Sequence, residues 1–341
     1  MVHEREIVAM RRAIDLARTP GVPAGPNPRV GCVILDRAGE TVGEGWHRGA
    51  GTPHAEPAAL ESAGERARGG TAVVTLEPCT HVGRTGPCTE ALIAAGISRV
   101  VFGQVDPHGI AAGGAAALRR AGIDVEGPVL TDEVAPVTEA WTFAITGGRP
   151  FVTWKVAATL DGRVAALDGS SRWITGAQSR AMVHDLRGDV DAIAVGTGTV
   201  IVDDPHLSAR DASGNLRGAQ PLRVVVGLRD LPETARVLDG SAPTLQVRSR
   251  DPREVLAVLA EAEIRHLLLE GGPTLSAAFL RAGLVDRVVW YVAPTLLGAG
   301  ESAVGDLGIV ALDAAIHLTD VRVDLVGEDV RIVGRPRLSR Q

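Results

Sequence analysis

The sequence predicts an α/β protein built from two domains, and three observations support this. The chain has 341 residues, 45% of them hydrophobic, which is enough to fill two cores. Short apolar runs of strand length alternate with amphipathic segments of helix length in each half. Residues 146–150 (TGGRP) are typical of a linker between the halves. We therefore expect one domain at residues 1–147 and another at residues 148–341.

The first half begins with a helix and continues in alternating elements. Residues 4–18 place apolar side chains at mostly helical spacing. Strands are expected at 29–36 and 40–47, and Pro53 can occupy the first turn of a helix that runs through 56–67. Further strands are predicted at 71–77 and 98–104, and further helices at 88–96, 115–122 and 133–145.

The second half repeats the alternation after the linker. Its strands are predicted at 151–160, 191–197, 221–228, 242–247, 265–272 and 285–294. Its helices are predicted at 175–187, 252–262 and 274–283.

Composition and charge exclude several classes of protein. The net charge of −6 disfavours a nucleic-acid partner, because a broad nucleic-acid surface is normally basic. No apolar run approaches the ~20 residues that a membrane span needs, and the charged N-terminus is not typical of a signal peptide. Three cysteines in a long chain argue against a disulfide framework. We therefore expect a cytoplasmic protein without a membrane segment.

Residues typical of a zinc site lie near the ends of predicted elements in the first half. His54 and Glu56 occur in PHAEPAAL, and Cys79 and Cys88 in EPCTHVGRTGPC. One imidazole and two thiolates leave a fourth zinc position open for water, whose pKa the metal lowers to about 7. Glu56 can take the proton of that water and return it to a leaving amine. This is the H-x-E…P-C-x-x-C arrangement of zinc deaminases, except for the wider interval between the cysteines.

A structural zinc site, or no metal at all, is the alternative. A structural site needs a fourth protein ligand, and Cys32 is the remaining thiol, but its apolar run VGCVIL indicates a small core residue. His47 and His81 could also ligate, although lone histidines are more often structural or exposed. The sequence therefore favours catalytic zinc bound by the three ligands named above.

Three motifs of the first half, PNPRVGCVIL, VGEGWHRGAGTPHAEPAAL and TLEPCTHVGRTGPC, together resemble the deaminase domain of the bifunctional riboflavin-biosynthesis deaminase/reductase family. The family's zinc motif has the same wide cysteine interval. The resemblance implies a cytidine-deaminase-like, three-layer α/β domain that deaminates a pyrimidine. It also implies that Asn27 reads the pyrimidine edge and that Arg84 binds the substrate phosphate, which suits the paired donors of a guanidinium. The sequence departs from the family at Gly86, commonly a proline, and at 106–114, which lacks the usual Asn-Pro.

The second half carries two glycine-rich turns but no G-x-G-x-x-G fingerprint. In VGTGTVIVDDPHLSAR (195–210) and LEGGPTL (269–275), Gly and Thr follow strands, where backbone N–H groups can bind phosphate. Spacing alone makes this a weak signal. Together with KVAATLDGRVA and SRWITG, however, these motifs resemble the reductase domain of the same family, in the expected order. The resemblance implies a dihydrofolate-reductase-like α/β fold and the cofactor NADPH.

The resemblance also assigns residues in this domain. Those expected to line NADPH are Ala157, Trp173, Thr199, Asp203, Gly271, Gly272 and Pro273. Those expected to contact the ribose phosphate of the substrate are Ser171, Arg187, Leu207, Arg210 and Glu270. Asp203 is additionally expected to steady developing charge during reduction.

Lys155 is the only lysine in the chain, and all other basic side chains apart from histidine are arginine. It lies on the predicted strand of the KVAATLDGRVA motif. One interpretation is chance survival under a strong arginine bias. Our hypothesis is that its compact ammonium fits beside the ribose chain, near the atom that accepts hydride, where a guanidinium is too broad.

The function that the resemblance implies has two steps on one small molecule, a pyrimidine ribose phosphate. Zinc-dependent hydrolytic deamination of 2,5-diamino-6-(5-phosphoribosylamino)pyrimidin-4-one is followed by reduction of its ribosyl group by NADPH, giving 5-amino-6-(5-phosphoribitylamino)uracil. We expect a homo-oligomer of unspecified size. Two other functions stay open: a nucleoside or nucleic-acid base deaminase fused to an unrelated domain, and a non-catalytic module with a structural zinc.

Overall fold

The computed structural model describes residues 1–23, 25–80, 86–109 and 112–337. The chain divides into two compact units, Met1–Gly148 and Arg149–Gln341. Among the described residues, no helix combines the length and the apolar character that crossing a bilayer would require.

The first unit is built on a five-stranded mixed sheet in the order β2-β1-β3-β4-β5. Strand β1 runs antiparallel to β2 and β3, whereas β3, β4 and β5 are parallel. The strands are β1 (Gly31–Leu35), β2 (Thr41–Trp46), β3 (Thr71–Leu76), β4 (Arg99–Gln104) and β5 (Asp124–Glu126). The helices are α1 (Glu4–Ala17), α2 (Ala55–Ala63), α3 (Cys88–Ala94), α4 (Gly114–Arg120) and α5 (Thr131–Gly147).

Alternating side chains on the strands divide the core of this unit into two layers. On β1, Cys32 and Ile34 join one buried cluster with residues of α2, α3 and α4, while Val33 and Leu35 join another with α1. A strand that is apolar on both faces requires helices on both sides. The unit therefore has three layers, and Cys32 is a fully buried core residue.

Helix α2 begins differently from the sequence expectation. His54 is its N-cap and Ala55 its first residue, so Pro53 lies outside the helix. The prediction that Pro53 occupies the first turn is therefore wrong. Pro57 lies in the first turn instead, where a backbone N–H has no partner within the helix and proline is tolerated.

The second unit contains an eight-stranded sheet in the order β10-β9-β8-β11-β6-β12-β15-β14. The six strands from β10 to β12 in this order are parallel. Strand β15 is antiparallel to β12, and β14 is antiparallel to β15. The strands are β6 (Phe151–Thr159), β8 (Ala192–Gly196), β9 (Leu222–Val226), β10 (Thr244–Val247), β11 (His266–Leu269), β12 (Arg287–Ala293), β14 (His317–Val326) and β15 (Asp329–Arg337). The helices are α6 (Ala177–Gly188), α7 (Thr197–Asp203), α8 (Pro252–Glu261) and α9 (Pro273–Arg281).

Two features of the sheets in the second unit were not predicted. Strands β7 (Arg163–Ala165) and β13 (Glu301–Ser302) form a separate two-stranded ribbon. The hairpin β14–β15 completes the large sheet at one edge. The predicted strand from 265 to 272 ends at Leu269, so Glu270 and the two glycines that follow it lie beyond the strand.

Candidate active sites

A group of potential metal ligands lies where three elements of the first unit begin or end. His54 is the N-cap of α2, Cys79 follows β3, and Cys88 is the first residue of α3. The His54 Nδ1 atom lies 3.2 Å from Cys88 Sγ and 3.7 Å from Cys79 Sγ. All ligand atoms lie within 4.8 Å of one another. Ligand atoms bonded to one tetrahedral zinc ion are about 3.5 Å apart, so the spacing fits such an ion.

Two hydrogen bonds to the backbone hold the two cysteines together despite the wide interval between them in sequence. The Thr89 N–H and hydroxyl both donate to the Cys79 carbonyl, each at 3.3 Å. These bonds fix the start of α3 against the end of β3. Within the described ranges, no fourth His, Cys, Asp or Glu joins the group. One imidazole and two thiols form a donor set that binds zinc and leaves a coordination position open.

Glu56 is the buried carboxyl group of this site. It is the second residue of α2, its side chain is buried, and it interacts with the Cys88 thiol. Burial raises the pKa of Glu56, and the nearby His54 opposes part of that increase. A carboxyl group with a raised pKa, held beside a metal site, can both accept and donate a proton near neutral pH.

Asn27 is held by a histidine that sequence reasoning considered only as an alternative zinc ligand. The Asn27 Nδ2 atom lies 3.1 Å from His47 Nε2, and His47 Nδ1 lies 3.0 Å from the Pro53 carbonyl oxygen. Since a carbonyl oxygen only accepts, Nδ1 carries the proton and Nε2 accepts from the Asn27 amide. Burial also lowers the pKa of His47, which favours this neutral form. His47 therefore orients the Asn27 amide and does not belong to the ligand group.

Two residues considered in this domain lie outside the described residues. They are Arg84, predicted to bind phosphate, and His81, the other alternative zinc ligand.

In the second unit, the structure brings together Lys155, Arg187 and Glu270. The pairing of Leu269 with Trp154 places Glu270, just beyond β11, next to Lys155 on β6. Arg187 on α6 forms a paired ion bridge with Glu270, with Nε to Oε1 and Nη2 to Oε2 both at 2.7 Å. Burial lowers the pKa of Lys155, while the charge of Glu270 opposes the shift. These charges are close enough to act as one group.

The ion pair with Glu270 occupies the N–H donors of Arg187 that were predicted to bind phosphate. Besides its two bonds to Glu270, the Arg187 guanidinium donates from Nη1 to the Ser208 carbonyl at 3.4 Å. In this structure Arg187 therefore has partners within the chain, and its contact with phosphate stays a prediction.

The Arg187–Glu270 pair leads to a prediction about stability. Burial would raise the pKa of Glu270, but Arg187 and Lys155 lower it to about 2. Glu270→Gln leaves Arg187 buried without its partner charge, so we expect about 3–5 kcal/mol less stability at pH 7. Because the folded pKa lies below the unfolded value of about 4.3, the stabilisation is complete above that value and is lost as the pH falls toward 2.

Denaturant unfolding of the wild type and of Glu270→Gln, from pH 7 down to the lowest pH at which both fold, checks this. The difference in unfolding free energy should shrink below about pH 4.3. A difference that stays constant to pH 3 would contradict the assignment.

The two glycine-rich turns lie side by side at the carboxyl ends of two neighbouring strands of the large sheet. Helix α7 follows β8 and α9 follows β11, and these two strands are neighbours. The chain leaves β8 toward β9 on one side of the sheet and leaves β11 toward β12 on the other side. Such a reversal opens a crevice at the carboxyl ends of parallel strands, where α/β proteins bind ligands.

Four of the residues predicted to line NADPH lie at this crevice. Gly272 is the N-cap of α9 and Pro273 its first residue, with Gly271 directly before them. A Cβ atom at Gly272 would lie 3.7 Å from Thr199 Oγ1 on α7, so the two turns touch.

The remaining predicted residues occupy several positions in the unit. Ala157 is half-buried on β6, two residues after Lys155. Ser171 precedes Arg172, whose guanidinium donates to the carbonyl of Asp203, the last residue of α7. The Trp173 side chain is 70% exposed, and the Arg180 guanidinium lies over its ring, 4.6 Å from the ring centre.

Leu207 and Arg210 are held within the unit. The Leu207 side chain is 3% exposed and packs in an apolar cluster, so only its backbone could contact substrate. Arg210 donates to Ser208 Oγ at 3.1 Å and to the Gly214 carbonyl at 2.7 Å. Its predicted phosphate contact is untested.

Comparisons with known proteins match both units. The profile of the family described as the cytidine and deoxycytidylate deaminase zinc-binding region matches residues 3–104. The profile of the RibD C-terminal domain matches residues 150–332. The riboflavin biosynthesis protein RibD of Mycobacterium tuberculosis is 49% identical over 307 residues, covering 89% of this chain and 90% of that protein.

Solved structures agree over nearly the whole chain. RibD of Acinetobacter baumannii has a TM-score of 0.86 at 38% identity, covering 98% of this chain and 99% of that one. A diaminohydroxyphosphoribosylaminopyrimidine deaminase/5-amino-6-(5-phosphoribosylamino)uracil reductase from Thermotoga maritima has a TM-score of 0.87 at 33% identity, with the same coverage.

Proposed function

Because the chain belongs to the RibD family of riboflavin biosynthesis proteins, which combine a deaminase and a reductase, we propose which substrate its two units convert and which residues act. The substrate is 2,5-diamino-6-(5-phosphoribosylamino)pyrimidin-4-one. A deaminase domain at residues 1–147 hydrolytically removes its amine, and a reductase domain at residues 148–341 reduces the ribosyl group to give 5-amino-6-(5-phosphoribitylamino)uracil. The observation that carries the proposal is the His54–Cys79–Cys88 cluster beside a buried carboxyl group.

The chain's own residues divide the deamination between them. His54, Cys79 and Cys88 would hold Zn²⁺, which would act as a Lewis acid and lower the pKa of water. Glu56 accepts the proton of the attacking water and delivers it to the departing amine, which leaves as ammonia. Asn27, oriented by His47, binds the pyrimidine edge. Arg84 binds the substrate phosphate.

The second unit positions the product of the first step for reduction. Ala157, Trp173, Thr199, Asp203 and the 271–273 turn would hold NADPH, which would supply the hydride. Lys155 lies against the ribose chain near the carbon to be reduced, and Asp203 steadies the charge that develops there. Glu270 and Arg187 orient Lys155 and take part in substrate binding, together with Ser171, the Leu207 backbone and Arg210.

We also propose that the protein acts in the cytoplasm as a homo-oligomer, with a small molecule rather than a nucleic acid as its partner. The negative net charge supports the absence of a nucleic-acid partner.

A coupled assay tests the proposed function. Ammonia release and NADPH oxidation are followed separately after the diaminopyrimidinone phosphate is added to the purified chain. We expect both, with ammonia release first. Release of ammonia from cytidine or tRNA, and none from this substrate, would indicate a base deaminase instead. Zinc binding without either activity would indicate a structural module.

Removal of a zinc ligand gives a sharper prediction. In Cys88→Ala we expect less than a tenth of the wild-type zinc content, because two protein ligands hold the ion weakly. Ammonia release should fall below detection, whereas NADPH oxidation with the deaminated intermediate should be unchanged. The matched control is Cys32→Ala, which removes a buried thiol outside the ligand group. Equal loss of zinc in both variants would show that general damage to the fold is responsible.

A further inference from the structure

His184 lies on α6 about one turn before Arg187, and both side chains reach the backbone carbonyl of Ser208. The His184 Nδ1 atom lies 3.2 Å from the Ser208 oxygen, and Arg187 Nη1 lies 3.4 Å from it. Residues three positions apart on a helix share a face, which explains the common acceptor. Since a carbonyl oxygen only accepts, Nδ1 carries the proton of the imidazole. His184 therefore makes the shorter of the two hydrogen bonds.

The Ser208 carbonyl belongs to a buried segment with an unusual backbone conformation. Leu207, Ser208 and Ala209 are all nearly inaccessible to solvent. Leu207 has a φ of 51°, in the left-handed region that residues with a side chain rarely adopt. Such a conformation persists only where the surrounding structure holds it. Gln220 holds Ala209 through both its backbone N–H and its carbonyl, each at 2.9 Å.

The Ser208 carbonyl itself depends on helix α6. Within the part of the chain that the structure describes, its oxygen receives hydrogen bonds from His184 and Arg187. Arg187 Nη1 is also the nitrogen of that guanidinium that Glu270 does not engage. If Nη1 turns toward a phosphate, its long bond to Ser208 is lost. A buried carbonyl left without a partner would oppose that movement, and His184 keeps it paired.

The charge of His184 suits this arrangement. Burial lowers the pKa of His184, and the charge of Arg187 lowers it further, against the opposing effects of the Ser208 carbonyl and Glu270. The imidazole is therefore neutral at pH 7. It supplies a hydrogen bond without adding a third positive charge beside Arg187 and Arg210.

We propose that His184 is a positioning residue of the reductase: its Nδ1–H holds the Ser208 carbonyl, which leaves Arg187 Nη1 available for the phosphate of the substrate. The proposal rests on the phosphate contacts of Arg187 and Arg210 proposed above. Arg210 depends on the same segment, because its Nε donates to Ser208 Oγ at 3.1 Å. A displaced Ser208 would therefore disturb both phosphate contacts.

Steady-state kinetics of the reductase step test the proposal. In His184→Leu, the KM for 5-amino-6-(5-phosphoribosylamino)uracil should rise about tenfold, the effect of one lost hydrogen bond to a buried acceptor. The kcat and the KM for NADPH should stay within about twofold of the wild type, because the change affects substrate binding alone. His184→Asn should restore the KM, since its amide nitrogen takes the place of Nδ1. Failure of the asparagine to do so would overturn the proposal.

His206→Leu is the matched control. His206 lies two residues before Ser208, but its Nδ1 atom lies 3.2 Å from Asp239 Oδ2 rather than from the Ser208 carbonyl. It should leave the KM for the intermediate unchanged. An equal rise in KM in His206→Leu and His184→Leu would show that any loosening of this loop is enough, and would overturn the specific role of His184.

An intermediate without its phosphate group separates positioning from general damage. The wild type and His184→Leu should reduce this compound with kcat/KM values within about twofold of each other, because the proposed contact acts through phosphate. A loss that is as large with this compound as with the phosphorylated one would show damage to the whole site, and would overturn the proposal.

Hydrogen–deuterium exchange tests the hydrogen bond without substrate or cofactor. The Ala209 N–H, and the Arg217 N–H that donates to the Ala209 carbonyl at 3.1 Å, lie in or against the segment. Both should exchange about tenfold faster in His184→Leu and at the wild-type rate in His184→Asn. Equal exchange in the wild type and His184→Leu, or faster exchange with an unchanged KM, would overturn the proposal. A wild type that does not oxidise NADPH with the intermediate would overturn the proposed reductase function instead, and faster exchange would still show that His184 holds the segment.

Discussion

Glu56→Gln should lower the rate of ammonia release roughly 1,000-fold, which lies within the range for loss of a general acid–base group. The amide keeps the size of the side chain but can no longer accept the proton of water. Zinc content should stay at the wild-type level, because Glu56 does not belong to the cluster of His54, Cys79 and Cys88. Oxidation of NADPH with the deaminated intermediate should also be unchanged. Stopped or continuous ammonia assays, with metal analysis of the same sample, check all three expectations.

Glu61→Gln is the matched control for this variant. Glu61 lies on the same helix, α2, but its side chain is exposed. It should keep full activity in both assays. If Glu56→Gln released ammonia within tenfold of the wild type, Glu56 would have no part in proton transfer. If it lost zinc as well as activity, the carboxyl group would be supporting the ligands rather than the reaction.

The cluster of His54, Cys79 and Cys88 could be predicted from the sequence because each of these residues belongs to a short motif. His54 and Cys79 lie directly beside α2 and β3, and Cys88 begins α3, so folding these elements brings the motifs together. The comparisons confirm the predicted family, its two α/β parts and its combination of deaminase and reductase. Short, nearly continuous apolar runs were a sufficient signal for most central strands, which are buried on both faces.

Other features depend on contacts between residues far apart in the chain. Arg187 and Glu270 are separated by 83 positions. They meet only because α6 packs beside the end of β11 in the folded chain. The hydrogen bond between His47 and Asn27 likewise joins residues that are 20 positions apart. Spacing within a segment contains no information about such pairs. The sequence therefore indicated these residues through family resemblance or as isolated candidates, without their partners.

Helix α7 and strand β14 were missed for local reasons. Helix α7 has the sequence TGTVIVD, which combines glycine with β-branched residues of low helix propensity. Its position after β8 on the packed sheet outweighs that propensity. Strand β14 is exposed on most residues, so its apolar side chains do not mark a core. Its conformation is set by pairing with β15.

Lys155→Arg should reduce NADPH oxidation about 100-fold, the loss expected when a reacting group is misplaced by about 1 Å. Lys155 is held beside Glu270, whose carboxylate is already shared with the Arg187 fork. A second guanidinium is broader and planar, and it would compete with Arg187 for the same carboxylate. The arginine variant keeps the positive charge, so its loss of activity would measure shape rather than charge. The rate of ammonia release should not change, because that reaction belongs to the other unit.

Lys155→Met completes the comparison, because it keeps a long unbranched side chain, one atom shorter than lysine, and removes the charge. If the ammonium acts through its charge as well as its size, both variants should lose NADPH oxidation. An active Lys155→Met beside an inactive Lys155→Arg would show that the site only excludes a bulky group. Full turnover in Lys155→Arg would show that the single lysine is a chance survivor among the arginines of this chain. The bridge between Arg187 and Glu270 would then serve stability alone, and the pH dependence of unfolding expected for Glu270→Gln would still hold.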